Sequence, residues 1–238
     1  TITRTLNGVD TELEARVNGQ STRWRHRFAV GDQAGGWGKL ALPADGNPRD
    51  NVTYYRYSDD HPSAGLVVTE SALGPLWQAA ASTTGRDGRV PARLLTPADA
   101  TPAELRDATL VVWQAPLPEG NMASVLGQFA EEGGRVIFFP PGQAGTARFS
   151  GLGWGEKQTG EDDGFAVGRW DENQGPLANT DEGLLLPLAQ LGVRQRQQVV
   201  GQAAVLAAFD DGQALLVRQA LGQGEVYFCA TLPLLAWS

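Results

Sequence analysis

The chain has 238 residues, 42% hydrophobic and 19% charged, which is enough apolar content to bury a core and excludes a disordered chain. A net charge of −8 and a pI of about 4.8 argue against nucleic acid or anionic lipid as partner. A single cysteine, Cys229, excludes an internal disulfide and a thiolate metal cluster.

Residues 1–62 read as a small antiparallel β-sandwich of Ig-like character. TELEARVNG alternates, with Leu13, Ala15 and Val17 on one face. Asn18-Gly19 is a hairpin signal, and STRWRHRFAV returns as a strand. WGKLALPAD and NVTYYRYS complete a series of short strands at turn-punctuated spacing. At His61-Pro62 the pattern changes to strands alternating with helices. AGLVVTES, RVPARLL, ATLVVWQAP and RVIFFP read as strands. LGPLWQAAASTTG, TPAELRD and PEGNMASVLGQFAEEGG read as the helices between them. Thr101, Pro102 and Glu104 form a capping-box start, and Gly133-Gly134 a stop. Such alternation predicts βαβ crossovers and a parallel sheet covered on both faces. Val67, Val112, Ile137 and Phe228 are expected in its core. Residues 143–183 read as an irregular insertion. Asp211-Gly212 then marks a hairpin, and Gly222 and Gly224 open a last apolar strand.

The chemistry of known catalysts is missing from this pattern. The turn after RVIFF is Pro140-Pro141-Gly142, with no nucleophile, acid or base. Cys229 sits inside VYFCATL as a packing residue, and neither His26 nor His61 falls where it could activate it. There is no G-x-S-x-G and no phosphate loop, and Gly222-Gln223-Gly224 precedes a strand instead of linking a strand to a helix. DGNPRDN departs from a calcium loop at Arg49 and reads as turns between strands. Glu161, Asp162, Asp163, Asp171 and Glu172 read as a solvated loop, a poor source of hydrolytic carboxylates. No catalytic residue, metal site or cofactor is expected.

Open α/β sheets bind ligands at the carboxyl ends of their strands. The ligand-binding candidates there are Thr69, Gln114, Pro141 and Gly142. Trp154 and Trp170, flanking the acidic stretch, join them as loop aromatics suited to a binding surface.

Several blocks together resemble the extracytoplasmic region of BatA-type bacterial membrane proteins, which carry an N-terminal double-transmembrane segment. The blocks are GWGKLALPADGNPRDNVTYYRY, the GLVVTES strand, LVVWQAPLP with VLGQFAEEGGRVIFFPPG, and the closing AVLAAFDDGQALLVRQALGQGEVYFCATLPLLAWS. Asp45, Asp50 and Asn51 match the family's Asp…Asp-Asn motif. Gly133-Gly134, Gly222, Gly224, Trp237 and Ser238 match its later blocks. The resemblance implies a sandwich at 1–62 followed by a flavodoxin-like, three-layer, class I glutamine amidotransferase-like α/β domain at 63–238. The Cys-His-Glu triad of that class cannot be carried over. It further implies a non-catalytic interaction or scaffold module of a membrane-anchored protein, a pseudoenzyme in the periplasm with protein partners in the envelope. The family's gene neighbourhood, with von Willebrand A-domain proteins and MoxR-type ATPases, points the same way. The start without Met and the end at LPLLAWS fit a soluble piece of a longer inner-membrane protein. The alternative is a domain binding a small polar, sugar-like ligand at the C-terminal edge of the parallel sheet. Oligomeric state is left open.

Overall fold

The computed structural model describes residues 1–15, 35–45, 51–58, 64–85, 88–161, 164–172, 175–178 and 185–238. The chain divides into two compact units, Thr1–His61 and Pro62–Ser238.

In the first unit, β1 (Ile2–Leu6), β2 (Val9–Leu13), β3 (Gly35–Ala41) and β4 (Val52–Ser58) form one antiparallel sheet in the order β2-β1-β3-β4. Among the described residues this is a single sheet, and the STRWRHRFAV segment on which the expected sandwich rests lies outside them. The turn between β1 and β2 is Asn7-Gly8, with φ of 48° and 86°. Left-handed backbone at both central positions matches the twist of the flanking strands, so this Asn-Gly sets the hairpin. Asn18-Gly19, His26 and His61 lie outside the described residues. So do Asn47, Arg49 and Asp50. Asn51 is buried and donates from Nδ2 to Asp45 at 3.2 Å, which ties Asp45 to the residue before β4.

The second unit begins with β5 (Ala64–Thr69), α1 (Gly74–Ala81), the ribbon β6 (Thr83–Gly85) and β7 (Gly88–Val90), and β8 (Arg93–Leu95). There follow α2 (Pro102–Leu105), β9 (Ala108–Gln114), α3 (Gly120–Glu131) and β10 (Arg135–Phe138). The remainder is β11 (Gly153–Thr159), β12 (Val167–Trp170), β13 (Gln195–Val200), β14 (Ala204–Phe209), β15 (Ala214–Leu221) and β16 (Gly224–Cys229), with two short 3-10 turns. Eight strands make one mixed sheet in the order β12-β14-β15-β16-β10-β9-β5-β8. From β16 to β8 all pairings are parallel, and from β16 to β12 all are antiparallel.

This overturns the expectation of a flavodoxin-like, three-layer, glutamine amidotransferase-like domain. The chain is mostly β, with sixteen strands against three α-helices among the described residues. The reason is in the connections. Among the described residues no α-helix lies between the strands that follow β10, which are joined by hairpins and loops, so α3 reaches only as far as β16 and β15 and the outer strands have no helix of their own. The antiparallel pair β11–β13 adds cover over β16, through Trp154 packed on Phe228 at 5.1 Å. The segment 143–183 is therefore not wholly irregular, since β11 and β12 lie in it.

Side chains alternate across the parallel strands as their period of two requires. Leu66, Val111, Trp113, Val136, Phe138, Val226 and Phe228 pack with Leu126 and Ala130 of α3. On the other face Val67 and Val112 meet Trp77 and Ala81 of α1, while Tyr227 joins Leu206 and Leu216. Each fully buried chain of this kind contributes roughly 1.5–3 kcal/mol. Val67, Val112 and Phe228 are buried as expected, whereas Ile137 is only half-buried.

Helix boundaries follow local chemistry unevenly. Gly133 (φ 110°) ends α3, with its N–H bonded to Ala130 O at 3.0 Å and that of Gly134 to Phe129 O at 2.9 Å, a Schellman stop. A Cβ on Gly224 would stand 2.1 Å from Gly134 O, so β16 can begin this close to the helix end only with glycine. At α2, Thr101 has extended backbone but makes no side-chain cap bond. Glu104 instead pairs with Arg93 of β8.

Candidate functional site

Three parallel strands end side by side, and the segments leaving them enclose a cavity of about 740 Å³. Glu70 follows β5. Pro116, Leu117 and Glu119 lead from β9 towards α3. Pro141 and residues 143–147 form a strap after β10, and Trp154 closes one side from β11. This is the position the carboxyl ends of parallel strands assign to a ligand.

The same strand ends carry a buried polar knot on the α1 face of the sheet. Thr69 donates from Oγ1 to Gln114 Oε1 at 2.9 Å and accepts the Ser71 N–H at 3.0 Å. Trp77 Nε1 donates to the same Gln114 oxygen at 3.3 Å, and Gln114 Nε2 reaches Pro140 O at 3.5 Å. Thr69 and Gln114 are buried with these partners and do not line the cavity, so they brace the ends of β5 and β9. Buried polar groups satisfied in this way rigidify the frame they tie.

Of the six candidates, Pro141 and Trp154 line the cavity. Gly142 (φ 85°) makes the turn into the strap and is exposed. Trp154 is 3% exposed, so it is a wall and not a stacking platform. Its indole N–H has no hydrogen-bond partner. Trp170 lies elsewhere, in a separate hollow of about 440 Å³ with Arg169, Asp171, Glu172 and Val205.

Sequence reasoning missed Glu70 and Glu119. Both are exposed, and neither makes a hydrogen bond or ion pair with a described residue. The available signal was positional, because each lies within five residues of the end of a parallel strand. The strap presents a different character. Arg148 Nη1 donates to the carbonyls of Thr146 (3.2 Å) and Ala147 (3.0 Å), and Gln197 Nε2 donates to Gln143 O at 2.8 Å. The backbone N–H groups of residues 143–147 have no acceptor among the described residues. Gln197 is itself fully buried, with Oε1 unpaired.

Cys229 is in β16, its Sγ 3.7 Å from Thr231 O. Part of the residue is exposed, yet burial pushes its thiol up to about 11. It is protonated at neutral pH, and the thiolate is the reactive form. Labelling with a thiol reagent should therefore be slow in the folded protein and fast once it is unfolded in urea. Rapid native-state alkylation would refute this reading of the strand.

No family model matches the chain, and no curated protein matches it. Solved structures similar to it include a beta-galactosidase from Bacillus circulans sp. alkalophilus, at 12% identity and a TM-score of 0.47 over 71% of this chain and 28% of that one. A beta-galactosidase from the Antarctic haloarchaeon Halorubrum lacusprofundi gives 16% identity and 0.42, over 71% and 28%. A cytoplasmic protein of Salmonella typhimurium LT2 gives 10% identity and 0.48, over 85% and 86%. The chain thus spans less than a third of the length of the galactosidases it matches. At these scores the likeness says nothing of what this chain does.

Proposed function

We propose that the Pro62–Ser238 unit is a non-catalytic binding module whose crevice takes a small polar ligand. The observation that carries this is the crevice itself, about 740 Å³ at the carboxyl ends of β5, β9 and β10, with unpaired acceptors and donors on its lining. Its volume falls in the usual range for small-molecule sites. The turn Pro140-Pro141-Gly142 offers no nucleophile, and the protonated Cys229 supplies none. A panel of sugars, amino sugars and amino acids screened by thermal shift tests the reading. A ligand at about 100 times its Kd stabilises by about 2.7 kcal/mol, which raises Tm by several degrees. Chemical shift changes should then map to residues 70, 116–119 and 143–147. Binding that maps to the Trp170 hollow, or to no surface at all, would sink the proposal.

A second reading, an interaction module in the bacterial envelope, has its own observation. Trp37, Val52 and Tyr54 are exposed on one face of the first sheet, where β3 and β4 pair Lys39 with Tyr54 and Ala41 with Val52. An exposed apolar group of this kind suits a protein partner. The extracytoplasmic location and membrane-anchored parent belong to this second reading. No helix among the described residues is long and apolar enough to cross a membrane. Fractionation of the full-length native protein tests the reading, and recovery wholly outside the membrane fraction would refute the anchor.

A further inference from the structure

The strap, residues 143–147, walls the crevice, and its backbone alone marks it as a mobile loop. Residues 143–146 are exposed, and the N–H groups of 143–147 have no acceptor among the described residues. Exposed backbone without hydrogen bonds belongs to the least stable parts of a fold. The side chains around it point the other way. Gln197 holds the near end. It is fully buried in β13, its own N–H bonded to Ala230 O at 2.7 Å. Its Nε2 donates to Gln143 O at 2.8 Å and to Gly155 O at 3.2 Å. Gly155 lies where the β11–β13 register shifts between Trp154 and Lys157, and a bulge leaves its extra residue outside the ladder. One buried amide thus ties the strap to β11 beside the wall residue Trp154. Arg148 holds the far end. Its Nη1 donates to three successive carbonyls, those of Gly145 (3.4 Å), Thr146 (3.2 Å) and Ala147 (3.0 Å). The side chain lies over Gly153 of β11, where a Cβ would stand 2.5 Å from Nη1, 2.6 Å from Cδ and 2.8 Å from Ala147 O. Only glycine leaves that room. Just beyond, Phe149 and Leu152 exchange both backbone bonds, at 2.8 and 3.0 Å, and Phe149 is buried against Phe138.

We infer that the strap is a clamped, pre-formed wall of the crevice and not a lid, with Gln197 and Arg148 as its positioning residues. The carbonyls of 143, 145, 146 and 147 are held by these two side chains, in the place of a ladder or a helix. A ligand entering the crevice meets an ordered wall and loses no binding energy in ordering it.

Backbone amide relaxation of the ligand-free protein, measured by NMR, tests this. Order parameters at 143–147 should be about 0.85, the value of rigid backbone. In Gln197→Met, which keeps the reach of the side chain but donates nothing, those of the strap should fall below about 0.6 while β9 and β10 stay rigid. Arg148 is exposed, so Arg148→Ala leaves the core intact and should loosen 145–147 in the same way even if Gln197→Met fails to fold. Gly153→Ala should do so with the arginine still present. Order parameters below about 0.6 along the strap of the native protein would overturn the inference and make the strap a mobile loop. So would unchanged values in the variants that fold, or a loss in Arg148→Ala that spreads through β9 and β10. No ligand enters these measurements, so the binding proposal stands or falls separately.

Discussion

Phe138→Ala is expected to lower the unfolding free energy by about 3–5 kcal/mol, the range for emptying a fully buried aromatic site. Phe138 is fully buried in β10, between β9 and β16. Its ring lies 4.8 Å from Phe228, 5.0 Å from Phe149 and 6.5 Å from Trp113. Those partners come from β16, the strap's far end and β9, so the cavity left behind would open where three segments meet. Rings at such distances also contribute beyond their buried area. Ile137, one residue earlier and on the other face, is half-buried. Ile137→Ala should therefore cost less, about 1–2 kcal/mol by scaling the buried-site range. Urea denaturation of the two variants side by side checks the order. A loss below about 1 kcal/mol for Phe138→Ala, or a larger loss for Ile137→Ala, would contradict the packing described.

The contrast between these neighbours shows what a sequence can and cannot disclose. RVIFFP reads as a buried strand because it is continuously apolar, and such a run does not say which face is better covered. Four of the five parallel strands, β5, β8, β9 and β10, and α3 were legible from period and stop signals that act locally. The antiparallel half was harder. GWGEKQT in β11 mixes glycine with charge, and its partner β13 lies about forty residues on. A pairing so distant leaves no local trace. Asn-Gly occurs twice near the start, at 7–8 and 18–19, with identical turn chemistry. Only the register Thr5 to Asp10 and Leu6 to Val9 identifies the first as a hairpin turn. At the crevice, Pro141 and Trp154 were legible as candidates. Glu70 and Glu119 were not, because an exposed glutamate after a strand resembles any solvated glutamate until the fold sets two of them around one cavity. The three-layer expectation failed for a related reason. Strands alternating with helices up to Phe138 suggest helical layers on both faces of a whole sheet, but among the described residues the strands after β10 have no α-helix between them, so the hairpin at Asp211-Gly212 belongs to a mostly β second half.

The hairpin at Asp211-Gly212 was legible, but its electrostatic role was not, and it yields an asymmetric prediction. Arg196 is buried, its side chain 6% exposed, and its guanidinium lies 3.8 Å from the ring centre of Phe165 and 4.9 Å from that of Phe209. It donates from Nε to Gln158 at 2.7 Å and from Nη1 to Asp211 Oδ1 at 3.0 Å, and Nη2 pairs with Oδ2. The Asp211 side chain keeps 48% of its surface exposed. Asp211→Asn strands the cation in its apolar slot and should cost about 2–4 kcal/mol, somewhat below the loss expected on breaking a fully buried pair. Arg196→Met leaves a carboxylate that can reach water and keeps an apolar chain between the rings, so about 1–2 kcal/mol is expected. Acid provides an independent check. The hydrogen bond from Arg196 holds the Asp211 carboxyl below its usual 3.8. A group with a depressed folded-state pKa contributes stability that is present above the unfolded value and lost as pH falls through the folded one. The native protein should therefore lose stability below about pH 4 by a step that is absent in Asp211→Asn and reduced in Arg196→Met. Denaturant midpoints at pH 7 and pH 3 measure both effects. Equal losses for the two variants at pH 7, or the same acid dependence in all three proteins, would show that the pair does not hold this end of the sheet together.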